Sequence, residues 1–320
     1  MKDDVTKYLE LLTDDFGVWQ HADKYNILKE EGYALDDSAR ALIVFLYYKK
    51  FEKASVCLKY IENSIINNRL VLYFNKERKP ILESTSLDAQ GLALWALTFS
   101  MSSNFEVVKC LSLYNLINKD VLDNTEYVRP IAYYLLSSIY LNSKDKADIS
   151  LNKLIEKFDF KNGWFENKLI YANAVIPFSL ISYCHHFNIQ DENLFTIILQ
   201  SISILEKNMR IGIIPAPVGN RIWQDIGSVT KDIYGQQPID VAFMVLLLVK
   251  AYKFFNDTIF LTKAEEWMSW FYGNNILHEL IISCDGSCYD GIEEFGVNTH
   301  KGAESTIMYL WAKYYFDNAY

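Results

Sequence analysis

The chain has 320 residues, 51% of them apolar, with 22 Tyr, 19 Phe and 7 Trp but only 13 Gly and 6 Pro, which excludes collagen-like, low-complexity and turn-rich all-β classes. With 40 acids against 31 bases the net charge is −9, so no basic stripe is offered to a phosphate backbone and nucleic acid is a poor partner. The start Met1-Lys2-Asp3-Asp4-Val5 is too charged for a signal peptide, the apolar run Val241 to Val249 is too short for a membrane span, and five scattered cysteines fit a reducing compartment, so a cytoplasmic protein without a membrane partner is expected.

In chain order, Val5, Tyr8, Leu9 and Leu12 fall at i, i+3, i+4 and i+7 and predict a first short helix. Ala39, Leu42, Ile43, Leu46 and Tyr47 repeat that spacing, and Ala89, Leu92, Ala93, Ala96 and Leu97 do so again, in segments apolar nearly all round. Between them Cys57, Leu58, Ile61 and Ile65 form a stripe on a more polar segment, which marks a helix facing water on one side. The two kinds alternate. Apolar helices begin near residues 36, 87, 127, 170, 237 and 302, and amphipathic ones near 53, 105, 146, 191 and 258, with Val5 to Leu12 completing the second set.

Six inner and six outer helices predict an all-α, (α/α)6 toroid over residues 1–320 as a single domain. A solenoid would repeat more regularly than these unequal spacings. The long connections at 68–86, 209–236 and 274–301 precede inner helices, so they belong at one end of the ring, and long connections in a compact domain are usually functional. Leu70 to Phe74 and Ile211 to Ile214 predict short β-hairpin decorations there.

Polar residues concentrate at the same places: Asp36 and Asp37; Asp88 and Gln90; Arg129; Glu166, Tyr171 and Asn173; Gln237 and Asp240; Asp290, His300 and Glu304. Each acid at a helix start could serve only as a cap. Asp240 and Glu304, however, fall in otherwise apolar helices, where a carboxylate must be paired, hydrogen-bonded or functional.

The stretch Gly32-Tyr33-Ala34-Leu35-Asp36-Asp37-Ser38-Ala39-Arg40-Ala41-Leu42 resembles the opening of the helical toroid domains attached to some bacterial and archaeal nucleotide-sugar glycosyltransferases. Further islands follow in order: Asp88-Ala89-Gln90-Gly91, Trp164-Phe165-Glu166, Tyr171-Ala172-Asn173, Gln237-Pro238-Ile239-Asp240, Trp270-Phe271, Cys288-Tyr289-Asp290-Gly291 and Gly302-Ala303-Glu304-Ser305-Thr306. The resemblance implies the fold of six-hairpin glycosidases and sugar epimerases and a sugar or oligosaccharide ligand. Two departures stand out: Leu92 follows Gly91 where the family often shows Arg, and these 320 residues hold no glycosyltransferase domain, so any such enzyme is expected as a separate partner.

Glycoside cleavage needs a proton donor and a second carboxylate. The expected catalytic set is Asp36 or Asp37 with Glu304, ring neighbours once a toroid closes. Glu166, Asp240, Asp88 and Asp290 would hold sugar hydroxyls, with Gln237, Gln90 and Asn173 adding amide contacts. Trp164, Trp223, Tyr33 and Tyr171 are candidate stacking platforms, each with a core role as the alternative. An epimerase would want a histidine as proton carrier, for which His300 is placed; a glycan-binding toroid is the non-enzymatic alternative. His278, Cys284, Cys288 and His300 are too loosely spaced for zinc, and His185-His186 at a helix end read as structural. No G-x-S-x-G elbow and no phosphate loop occurs, and neither a metal nor a cofactor is expected.

Overall fold

The computed structural model describes residues 5–23, 26–228 and 230–319; the charged start read from residues 1–4 lies outside them. The described residues form two compact units. The first runs to Ser150 and takes in residues 285–287 and 300–307; the second holds 151–284, 288–299 and the C-terminal segment from Met308.

In the first unit α1 (Lys7–Leu12) precedes two helical hairpins, α2 (Leu35–Tyr47) with α3 (Phe51–Ser64) and α4 (Leu87–Ser102) with α5 (Val107–Leu116). A one-turn α6 (Asp120–Asp123), which no periodicity announced, leads to α7 (Val128–Tyr140), followed by α8 (Lys144–Lys157). Helix α4 packs between α2 and α7, and every residue from Ala89 to Ser100 is buried. On α3, by contrast, Cys57, Leu58 and Ile61 are buried while Glu52, Lys59 and Glu62 are not, so the apolar stripe alone faces the core. Gly91 sits where α4 meets α7: a Cβ there would lie 2.8 Å from the Tyr133 Cβ and 3.3 Å from the Pro130 carbonyl.

The second unit repeats the scheme with α9 (Val175–Phe187) and α10 (Glu192–Asn208), then α11 (Pro238–Phe255) and α12 (Thr258–Ser269). The last helix, α13 (Ala303–Asp317), begins in the first unit and ends in the second. Helices α9 and α11 pack together and are buried along most of their length.

Helix starts match the apolar spacing closely except at α9, expected near 170 and found at Val175. The chain at 170–173 instead forms a turn: Ala172 is left-handed (φ 47°) and the Asn173 side chain both accepts from the Ile170 N–H and donates to its carbonyl. The predicted strand Leu70 to Phe74 is also two pieces. Arg69–Leu70 pairs with Ile65–Ile66, whereas Tyr73–Phe74 pairs with Tyr33–Ala34. At 211–214 the hairpin is Arg210–Ile211 against Ile214–Pro215 with Gly212 in the turn.

None of the five cysteines forms a disulfide. Burial pushes the Cys110 thiol up to about 11 and the Cys184 thiol to about 12, and raises Cys57 and Cys288 as well; Cys284 alone is exposed. Among the described residues no helix is long and apolar enough to cross a membrane.

Candidate functional site

In the first unit the site grows from the start of α2. Gly32 has φ +67° and lies so close to the Phe74 carbonyl that a Cβ would sit 2.1 Å from it, so the glycine permits the Tyr33–Ala34 strand to pair with Tyr73–Phe74. That pairing delivers the chain into α2 with Ala34 at the N-cap, where no side chain caps the helix. Asp36 and Asp37 therefore lie in the first turn rather than serving as the cap, and turn towards Arg40.

Arg40 is the residue that sequence reasoning passed over. Its Nη1 is 3.2 Å from Asp36 Oδ2, 3.8 Å from Asp37 Oδ1 and 2.9 Å from Glu304 Oε2. Its side chain is 5% exposed, whereas those of Asp36 and Glu304 are 29% and 34% exposed, so the cation is sealed in and two of its acids reach solvent. Burial opposes the charge on Arg40, but Glu304, Asp36 and Asp37 outweigh it and hold the guanidinium protonated, its pKa raised. Asp36 and Glu304 thus each place one oxygen on the same guanidinium nitrogen.

Elsewhere in the first unit Asp88 is half-buried in the first turn of α4, where Ser86 supplies the cap, and Gln90 and Arg129 are buried. His300 is exposed and its backbone pairs with Asp23. Tyr33 is fully buried, stacks on Trp19 with centroids 4.0 Å apart and donates its hydroxyl to Asp14 at 2.7 Å. With its ring enclosed, Tyr33 takes the core role rather than that of a platform.

In the second unit Trp164 is likewise fully buried and takes the core role. Tyr171 and Trp223 are partly exposed, with rings 6.1 Å apart. The strand Lys168–Leu169, paired with Gln224–Asp225, brings them together. Trp223 has φ 62°, an uncommon conformation for so bulky a residue. Asn173 and Asp240 are fully buried, and both the backbone N–H and the Nδ2 of Asn173 donate to Asp240 Oδ1 at 3.4 Å. This pair fastens the 170–173 turn to the start of α11. Glu166, Gln237 and Asp290 are half-buried, the last at the foot of a hairpin formed by Gly291–Glu293 and Gly296–Asn298. Among the described residues no group of three or more His, Cys, Asp or Glu side chains is placed to hold a metal ion.

No protein-family model and no curated protein matches the sequence. Solved structures do match. A sugar epimerase from a ruminal bacterium is 13% identical with a TM-score of 0.76, the match covering 99% of this chain and 97% of that one. The cellobiose 2-epimerase of Bacillus thermoamylovorans is 13% identical with a TM-score of 0.77, covering 98% and 95%. A GH76 α-mannanase of Bacteroides thetaiotaomicron is 12% identical with a TM-score of 0.64, covering 98% and 94%. At such identities the likeness is one of fold, and it defines the class: an all-α (α/α)6 toroid of six hairpins with short β-hairpins.

Proposed function

We propose that this chain is a carbohydrate-active enzyme of the glycoside hydrolase type, with Asp36 or Asp37 and Glu304 as its carboxyl pair and Arg40 as the cation that gathers them. The observation that carries the reading is the set of three acids on one buried guanidinium, two of them open to solvent. Such a pair can work with one carboxylate attacking the anomeric carbon or with one activating a water, and the configuration of the product distinguishes the two. One carboxylic acid protonates the glycosidic oxygen while the other carboxylate either attacks the anomeric carbon, to be released by water that returns the proton to the first, or takes a proton from a water that attacks instead. Taken by itself, the second unit offers the partly exposed rings of Tyr171 and Trp223, aromatic faces of the kind that half-apolar ligands favour. The likeness in fold to a mannanase and to sugar epimerases supports a sugar as the ligand.

The test is a screen of α- and β-mannosides, glucosides and their oligomers, with products followed by proton NMR. The expected result is hydrolysis, reduced at least about hundredfold in Asp36→Asn or Glu304→Gln. Unchanged turnover in Glu304→Gln removes the assignment. A second reading rests on His300, exposed four positions before Glu304: a sugar epimerase, recognised in the same screen by inversion at a carbon of a free reducing sugar. Binding without turnover would assign the chain to glycan capture beside a separate glycosyltransferase.

A further inference from the structure

The segment that precedes Glu304 is fastened at three of its four residues, 300, 301 and 303. His300 pairs through its backbone with Asp23, the Lys301 N–H donates to the Ala22 carbonyl at 2.9 Å, and the Ala303 N–H donates to the Gln20 carbonyl at 2.9 Å. In such an extended run side chains alternate. His300 is exposed, and Lys301 points inward with 4% of its side chain exposed. There its ammonium meets Asp285 Oδ2 at 2.8 Å and lies 5.4 Å from the centroid of the Tyr8 ring. Asp285 is itself fixed, because its Oδ1 accepts from both the backbone N–H and the hydroxyl of Ser287.

A pair of charges this buried is a poor source of stability, since removing both from water costs about as much as their attraction returns, and apolar replacements of similar size are often as stable. What it does supply is a defined register. A slip of one residue at 300–303 would exchange the positions of His300 and Lys301 and move Glu304 away from Arg40.

We propose that the Asp285–Lys301 ion pair positions Glu304 and His300, an inference that rests on the reading of Asp36, Arg40 and Glu304 as a carbohydrate site. Neither Asp285 nor Lys301 touches the sugar. They act through the segment between them and Glu304.

The experiment combines Asp285→Asn, which keeps an acceptor for Ser287, with Lys301→Met, which keeps the apolar stem. The expected double variant melts within a few degrees of the wild type, loses at least about tenfold in kcat at unchanged KM, and exchanges the Lys301 and Ala303 amide hydrogens at least about tenfold faster. Lys301→Arg, which keeps the charge, retains wild-type kcat. A folded double variant with wild-type kcat and wild-type exchange overturns the proposal. Should the double variant fail to fold, Asp285→Asn alone is read by the same two measurements. If the wild type turns over no sugar, the reading of the site falls, whereas the exchange measurement still decides this one: unchanged exchange at Lys301 and Ala303 overturns it.

Discussion

Replacing Arg40 by methionine keeps an apolar stem of similar length and removes the charge that three carboxylates share. Breaking a buried ion pair from one side typically costs about 3–5 kcal/mol, because a charge is left without its partner. Here the abandoned charges are Asp36, Asp37 and Glu304, and the first and last are 29% and 34% exposed, so water recovers part of the loss. The expected cost is therefore at the lower end, about 3 kcal/mol, or about 6 °C in melting temperature at roughly 2 °C per kcal/mol for a chain of this size. The assay is thermal unfolding followed by circular dichroism for the wild type, Arg40→Met, Glu304→Gln and the double variant. Because part of the cost is repulsion among acids that no longer share Arg40, Glu304→Gln should recover about 1 kcal/mol in the Arg40→Met background, giving a measurable coupling. A loss below about 1 kcal/mol in Arg40→Met, with no coupling to Glu304→Gln, would show that the guanidinium does not hold these acids and would refute the reasoning.

Three further outcomes are expected. Gly91→Ala gains about 1 kcal/mol of helix propensity but places a methyl 2.8 Å from the Tyr133 Cβ, which is fixed to its backbone; the overpacking cost of about 1–3 kcal/mol wins, and urea unfolding should show a net loss of about 1 kcal/mol. Asp285 is penalised by burial, but Lys301 and Ser287 prevail and bring its carboxyl down to about 2. Its contribution is therefore present above the unfolded-state value of about 4 and is lost as pH falls towards 2. The stability gap between wild type and Asp285→Asn should be constant at neutral pH and close between pH 4 and 2, and a gap that widens on acidification contradicts the assignment. Trp223→Ala should weaken binding of the sugar found in the screen about tenfold by calorimetry, the worth of one aromatic face, and unchanged affinity shows that this ring does not bind it.

The helices were legible because their signal is local. The spacing of Leu42, Ile43 and Leu46, or of Leu92, Ala93 and Ala96, reports burial over a few turns, and the fold places those residues in the core. Where the reading slipped, at α9 and at 70–74, longer-range contacts decide: Asn173 reaches Asp240, and Tyr73–Phe74 finds its partner at Tyr33–Ala34. The acids at the start of α2 were legible as a cluster, and their spacing to Arg40, at i+4 and i+3, is a local signal for an ion pair. That Arg40 also meets Glu304 was not legible, since the contact closes a loop of most of the chain. The aromatic platforms were overcounted for a related reason. Composition and neighbouring polar residues do not reveal which face of a ring is covered, and Trp19 covers that of Tyr33.

The arrangement of the cysteines has a practical consequence. At neutral pH a maleimide should attack Cys284 far faster than the other four thiols, which are enclosed and held in the protonated form. The native sequence thus carries a single-site handle for a dye or spin label without any cysteine being removed. Because that handle immediately precedes Asp285 in the chain, a probe on it would report in real time whether the 285–287 turn stays seated as candidate sugars are added.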